Sequence, residues 1–365
     1  MYVFREKMRI DNPISVVFLC GSSFSESNER DKRRILQEYI KCKVPNCFPI
    51  ILEQNFRFRK PTTKYLAYDD IFLKGLAQIE QLTSLYADKI LIIHESNSTA
   101  AELGAFAINE TLAKKICVLA PDAYAVEDDK ISNFIFLSFV SNDAAECKVK
   151  LIRYYPDTEI HRNSCNKSDY YCYFHEDQIG PHLSEQLNLF LDSNSKSLCL
   201  SFQPMLYGKC GKNERNIEYK IDNESKEVFV SVSPFALKYQ LMALLFVKHI
   251  STSIRKEKLI KDHVNYLENE YCSILKDTIS HIAGQKLQDF AIKVELKEST
   301  STLRQAIGYC LYLLQAAQQI NLEQKTDGNL SVRKVSFKKD FNKRRSMVGS
   351  MIERTNTTEF GRQGL

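Results

Sequence analysis

Short apolar runs alternate with stretches of helical periodicity over the first 120 residues. Residues 14–20 (ISVVFLC) form a β-branched run that ends at Gly21 and small polar residues, and residues 29–41 favour helix. Residues 48–53 predict a second strand. Between 69 and 86, Ile71, Leu73, Leu76, Ile79, Leu82 and Leu85 recur at a helical spacing, and residues 89–94 (KILIIH) predict a third strand. A helix over 99–112 and a fourth strand over 115–120, halted by Pro121, complete the alternation. Strands that are apolar on both faces and separated by helices predict a parallel sheet covered on both sides. Residues 1–145 are therefore expected to form one α/β domain.

The pattern then changes. Residues 146–235 are rich in Tyr, Asn, Ser and Cys, with brief strand-like pieces at 148–154, 198–202 and 228–232, which reads as an irregular α+β insertion. Helical periodicity returns through 238–249, 257–282 and 303–320. Asp327-Gly328 between two alternating segments signals a hairpin. Helices followed by such a hairpin suggest a winged-helix module over 236–332, with a basic tail over 333–365.

Composition sharpens this picture where it is divided along the chain. Residues 1–150 hold 20 Lys/Arg against 20 Asp/Glu, residues 151–323 hold 20 against 21, and residues 324–365 hold 10 against 4. The net charge of +5 is thus an excess at the C-terminal end of a neutral body. The 11 cysteines are odd in number and several lie inside apolar runs, the usage of a reduced protein, so a cytoplasmic location is expected. The charged start does not read as a signal peptide, and no apolar run is long enough for a membrane span. His161, Cys165, Cys172 and His175 could be drawn as a zinc set, but no C-x-x-C pair supports it. Free thiols are the simpler reading, and no metal or cofactor is expected.

The segment richest in chemistry is HESNSTAAELGAF (residues 94–106), which follows a buried strand and opens a helix. Loops at the carboxyl ends of parallel strands are where open α/β sheets bind ligands. Ser98 or Thr99 is expected to cap the helix, with Ser96 beside it and Glu102 in the first turn. A carboxylate there suits attack on an anomeric carbon or stabilisation of an oxocarbenium ion, although the Thr99 to Glu102 spacing also fits a capping box. Gly104 is read as a point of close backbone approach. Gly21, Ser22 and Ser23 end the first strand, where small residues let a phosphate or ribose reach backbone amides. Arg33 is a candidate phosphate ligand, with solvated surface as the alternative. Asp70, preceding the second helix, and Glu80, on its apolar stripe, are candidate site carboxylates.

These residues resemble nucleoside 2-deoxyribosyltransferase-like proteins. FLCGS (18–22), the Glu80 helix, ADKILIIHES (87–96), STAAELGAF (98–106) and KICV (115–118) occur in that family's order, and the similarity is greatest to the retron-associated toxic effectors of that superfamily. Those effectors are similar in the loop pattern ES-x-S-x-x-ELGAF and in a C-terminal winged helix with TDG in its wing, as at 326–328 here. The resemblance implies that Glu102 is the catalytic carboxylate, that Ser96, Ser98 and Thr99 surround it, that Gly21 is the nucleotide-approach glycine and that Asp88 ends the second helix. It departs from the transferases in having Ser98-Thr99 where they have Gly-Thr. A base-pocket role for Tyr65 or Tyr68 is only conceivable. Hydrolysis is therefore expected over transfer.

The C-terminal run with Arg333, Lys334, Lys338, Lys339, Lys343, Arg344 and Arg345 is interleaved with Phe337 and Phe341, a pattern able to neutralise phosphates. Its alternative is an amphipathic segment whose Val335, Phe337 and Phe341 pack onto the preceding module. The combined expectation is an antiphage retron effector, an N-glycosidase acting on NAD+ or a related nucleotide. The resemblance also implies restraint by a retron reverse transcriptase and its msDNA, a DNA/RNA hybrid, in a possible higher-order assembly. A salvage deoxyribosyltransferase and a non-catalytic nucleotide-sensing DNA-binding regulator are the alternatives.

Overall fold

Four apolar runs and a mixed fifth strand, KLIRY, pair in parallel. In the computed structural model these are Ser15–Cys20, Cys47–Ile50, Lys89–Ile93, Ile116–Pro121 and Lys150–Tyr154, laid side by side in the order second, first, third, fourth, fifth. The register sets Phe18 beside Ile50 and Ile90, and Ile92 beside Val118. The structure describes residues 1–21, 31–57, 66–67, 71–122, 131–132, 135–140, 149–155, 173–175, 178–192, 197–327 and 330–355.

One face of the sheet presents Val17, Leu19, Leu91, Ile93, Cys117, Leu119, Ile152 and Tyr154 to a core shared with Ile35, Leu36, Ile40, Leu183 and Leu187. The last five come from helices Lys32–Lys43 and Pro181–Leu191. On the opposite face Phe18 meets Phe106 of helix Asn97–Ala107, with ring centroids 6.2 Å apart. The expected α/β architecture with a sheet covered on both sides is present. The piece at 148–154, assigned from sequence to the insertion, is instead the fifth strand of this sheet.

The chain forms two units, each from non-contiguous segments, rather than the four consecutive segments 1–145, 146–235, 236–332 and 333–365. The sheet unit is Ile14–Phe56 with Ala87–Ser195; the other is Met1–Pro13, Arg57–Tyr86 and Lys196–Leu365. The helical signal at 69–86 yields a helix only over Leu76–Tyr86, and it belongs to the second unit. There Tyr86 OH donates to Ala306 O at 2.8 Å, and Thr83 Oγ1 lies 2.5 Å from Tyr309 OH, both on helix Leu303–Ala316. Periodicity reports that a helix has an apolar stripe, not which core the stripe faces.

The second unit contains a mixed five-stranded sheet in the order Ala291–Leu296, Glu227–Val232, Asn216–Asp222, Ser197–Pro204, Lys7–Asp11. A three-stranded antiparallel sheet has Leu330–Phe337 between Ile320–Asp327 and the short Lys258–Leu259. The hairpin signal at 327–328 thus corresponds to two paired strands, with Asp327 opposite Leu330. Helix Pro234–Leu244 is buried along its whole length. Residues 333–355 are no tail: after Leu330–Phe337 come helices Lys339–Lys343 and Arg345–Val348, and Ile352–Arg354 pairs antiparallel with Tyr2–Phe4.

Cys20, Cys117 and Cys310 are buried, whereas Cys42, Cys199 and Cys210 are exposed. Burial pushes the thiols of Cys117 and Cys310 up to about 12, so neither is a nucleophile at neutral pH. His161, Cys165 and Cys172, the side chain of His175, and Tyr65 and Tyr68 lie outside the described residues. Among the described residues no helix is long and apolar enough to cross a membrane, and no His/Cys/Asp/Glu group is arranged for a metal.

Candidate active site

The strand order creates a switch point. The chain leaves Ser15–Cys20 for the neighbour on one side, Cys47–Ile50, and later lays Lys89–Ile93 on the other. The carboxyl ends of the first and third strands therefore flank a switch point, which is where such sheets take ligands. Gly21 and residues 94–96 border it.

The two loops are tied together. Lys32 Nζ, at the start of the first helix, lies 2.5 Å from Glu95 Oε1, and Tyr154 OH donates to the same oxygen at 2.5 Å. The Lys32 ammonium also lies 5.6 Å from the Tyr154 ring centroid and 5.9 Å from that of Phe174. Burial, and then the Glu95 carboxylate, holds the Tyr154 phenol far above its ordinary pKa, so it remains a donor. Sequence reasoning missed this cluster. Glu95 was visible inside the 94–106 motif, but Tyr154 joins it only through a fifth strand that the sequence reading placed elsewhere.

The glutamate helix starts earlier than expected. Ser96 is its N-cap, and Ser96 and Thr99 form a reciprocal capping box, with Thr99 N donating to Ser96 Oγ at 3.4 Å and Ser96 N to Thr99 Oγ1 at 3.2 Å. Thr99 is fully buried; its hydroxyl donates to Ser96 O at 2.7 Å and lies 3.4 Å from His94 Nδ1. Ser98 is exposed, and its hydroxyl lies 2.8 Å from that of Ser96. Thr99 consequently rigidifies the loop and Ser98 is the hydroxyl open to solvent. Glu102 falls in the second turn, not the first, half-buried with its Oε2 atom buried. Its capping-box reading is removed because Thr99 is itself the third residue of the box. A Cβ at Gly104 would meet nothing within 4 Å, so that glycine does not serve close packing.

Other expected ligands have internal tasks. Arg33 is only 3% exposed, and its Nη1 donates to Glu53 Oε1 at 2.9 Å while Nε lies 3.7 Å from Asp31 Oδ1. A Cβ at Gly21 would come within 2.8 Å of Arg33 Cδ. The glycine thus makes room for the buried arginine. Asp88 stands at the amino end of Lys89–Ile93, away from the crevice. There its Oδ2 accepts from Val16 N at 2.7 Å and its own N–H donates to Val16 O at 2.9 Å, a clamp on the start of two strands. Glu80 lies on helix Leu76–Tyr86 of the other unit, half-buried. Ser22, Ser23 and Asp70 lie outside the described residues.

The C-terminal cations divide in two. Arg333 is buried, donating from Nη1 to Leu322 O at 3.4 Å while its own carbonyl accepts from His263 Nε2 at 2.9 Å, so it is not a surface contact. Arg344 is half-buried with Nε 2.9 Å from Gln319 Oε1, and burial lowers its pKa. Lys334 is half-buried, opposite Glu323 in the hairpin. Lys338, Lys339, Lys343 and Arg345 are exposed, Lys343 pairing with Asp340 at 3.1 Å. Phe341 is fully buried and stacks on Phe246 at 4.6 Å and on Phe337 at 5.0 Å. The aromatics anchor the segment rather than await a base.

A family model described as STM3845 retron effector protein matches residues 29–322. The chain belongs to that family of retron effectors. The matched stretch includes Lys32, Glu95, Glu102 and Tyr154. A relative in Escherichia coli, whose name describes a candidate ribosyltransferase/DNA-binding protein of retron Ec73, is 33% identical over 120 residues, which is 32% of this chain. The match spans 36% of that relative's length.

Proposed function

We propose that this retron effector is an antiphage enzyme of the nucleoside deoxyribosyltransferase-like type, cleaving the N-glycosidic bond of NAD+ or a related nucleotide. The observation that carries the reading is Glu102, set on a helix that springs from the switch-point crevice with one carboxylate oxygen buried. A partly desolvated carboxylate is a stronger partner for a developing oxocarbenium ion than one in water. In the reaction the C1′–N bond breaks with its electron pair leaving on the base. Glu102 either forms an ester to C1′ that water then displaces, freeing the carboxylate, or balances the charge at C1′; in both cases water supplies hydroxide to C1′, and its proton goes to the medium when nicotinamide leaves and to the base when an uncharged base leaves. NAD+ suits this site because nicotinamide leaves as a neutral base without prior protonation. The loop at Gly21 and the amides near Ser96 would hold phosphate, with Lys32, Glu95 and Tyr154 fixing the distance between the two loops. In this reading the second unit, with its helices and hairpin in a winged-helix-like role, engages msDNA and the reverse transcriptase, which restrain the enzyme.

The Ec73 relative's name favours one second reading, transfer of the ribosyl group to an acceptor. Wild type and Glu102→Gln are incubated with NAD+ and with nucleotides, and base release is followed by chromatography. Nicotinamide release by wild type, lowered at least 100-fold in the variant, supports hydrolysis. Release only when a free base is added establishes transfer, and ligand binding without turnover of anything overturns the enzyme reading.

A further inference from the structure

The second unit contains a cavity of about 480 Å³ lined by Met1, Tyr2, Lys248, His249, Thr252, Ser253, Lys256 and Arg354. Lys248, Lys256 and Arg354 are exposed, and among the described residues no acidic side chain lines the cavity. The nearby Glu270 is engaged with His249, its Oε2 3.1 Å from Nε2, and Glu353 lies 3.4 Å from Arg5 Nε. The Tyr2 and His249 rings lie with centroids 5.5 Å apart and planes tilted by 38°, giving the cationic cavity an aromatic wall. Its parts come from distant points in sequence and are brought together by the pairing of Tyr2–Phe4 with Ile352–Arg354, in which Tyr2 faces Arg354.

The chain next to this cavity meets the C-terminal segment. Arg255, next to Lys256 in the chain, sits 5.0 Å from the Phe337 ring centroid, and Phe337 stacks on Phe341. Lys338 and Lys339 follow Phe337 directly. Lys248, Lys256 and Arg354 line the cavity itself, together with the Tyr2 and His249 rings. Three exposed cations around an aromatic pair fit a strand whose phosphates meet the cations and one of whose bases or sugars rests on a ring. A volume of this size suits about one nucleotide, within the usual range for small-ligand sites.

We infer that this cavity is a nucleic-acid site, in which Lys248, Lys256 and Arg354 hold backbone phosphates of a single strand and the Tyr2–His249 wall accepts a nucleotide. The inference rests on the proposed engagement of nucleic acid by this unit, and it moves the principal contact from the 333–345 run to a pocket built by the N-terminal strand and helix Lys248–Ile254.

The test uses the full chain and a fluorescently labelled 20-nucleotide deoxythymidine strand, with anisotropy measured from 50 to 300 mM salt. The proteins are wild type, Lys248→Glu with Lys256→Glu, and Lys209→Glu, an exposed cation outside the cavity. Wild type and Lys209→Glu should bind alike. The double variant should bind at least tenfold more weakly, with a slope of log affinity against log salt shallower by about 1.4, at about 0.7 per lost phosphate contact. An unchanged double variant beside a binding wild type overturns the cavity and leaves nucleic-acid engagement standing. Failure of wild type to bind any strand overturns the engagement itself. Full displacement of the strand by equimolar nucleoside triphosphate overturns the assignment to a strand in favour of a free nucleotide. All three proteins are compared by thermal melting, and the two lysines, being exposed, should leave the midpoint within 2 °C of wild type.

Discussion

Gly21 and Arg33 stand or fall together. Arg33 is buried on the strength of its contacts to Glu53 and Asp31, so its side chain has little freedom to yield to a methyl group 2.8 Å away. Gly21→Ala is expected to destabilise the sheet unit by about 1–3 kcal/mol through overpacking, measured as a lowered denaturation midpoint. An unchanged midpoint would show that Arg33 can leave its site and would restore it as a phosphate ligand. Tyr154→Phe keeps the buried ring and deletes only the bond to Glu95. The expected loss is about 1 kcal/mol, at the low end for a hydrogen bond to a charged group because Glu95 is partly exposed, together with slower base release. A variant with full turnover would remove the Lys32–Glu95–Tyr154 cluster from the positioning of the loops. The placement of Glu102 on a helix that follows a parallel strand was legible at this scale from the strand-loop-helix pattern. Arg33, Asp88 and Arg333 make internal contacts that the sequence did not show, because charge alone does not reveal whether a side chain turns outward or braces the interior.

At the scale of elements, the first four strands of the parallel sheet were easier to assign to their core than the helix over 76–86, while Lys7–Asp11, Asn216–Asp222 and Ala291–Leu296, which alternate with charged residues, left no signal that was read. An apolar run four to six residues long identifies itself, whereas the helix Leu76–Tyr86 shows the same stripe whichever core it covers. The hairpin Ile320–Asp327 with Leu330–Phe337 was legible from its turn, but the third strand, Lys258–Leu259, is too short to leave a pattern. That small sheet has a pH dependence. His263 is 1% exposed and its Nε2 donates to the Arg333 carbonyl, in the central strand. Burial, aided by Lys258 and opposed by the carbonyl bond and Asp262, lowers its pKa below the ordinary 6.5. The unfolded chain then takes up a proton near pH 6.5 while the native chain does not. The contribution is complete above that value and is lost as pH falls towards the depressed native pKa. His263→Gln keeps a donor that does not titrate, so its melting temperature should fall less than that of wild type between pH 7.5 and 5.5. Equal falls in the two proteins would exclude His263 as the source.

For the whole molecule, the charge asymmetry and the fold carry different messages. The excess of cations beyond residue 323 suggests an appendage that could be removed, yet the residues carrying it complete a core. Val335, Phe341, Val348 and Met351 are all fully buried, and Ile352–Arg354 is the only partner strand of Tyr2–Phe4 among the described residues. Four buried apolar side chains contribute about 1.5–3 kcal/mol each, so their removal costs about 6–12 kcal/mol, comparable to the whole stability of a domain. Truncation after residue 332 is therefore expected to unfold the second unit, measured as loss of its cooperative melting transition and gain of early proteolytic cleavage within 197–332. A truncated chain that melts like wild type would return these residues to the status of a tail. Deletion cannot separate binding from folding here, whereas charge reversal at exposed lysines can, because it changes the field that a polyanion meets while leaving Phe341 on Phe246 and the terminal strands paired.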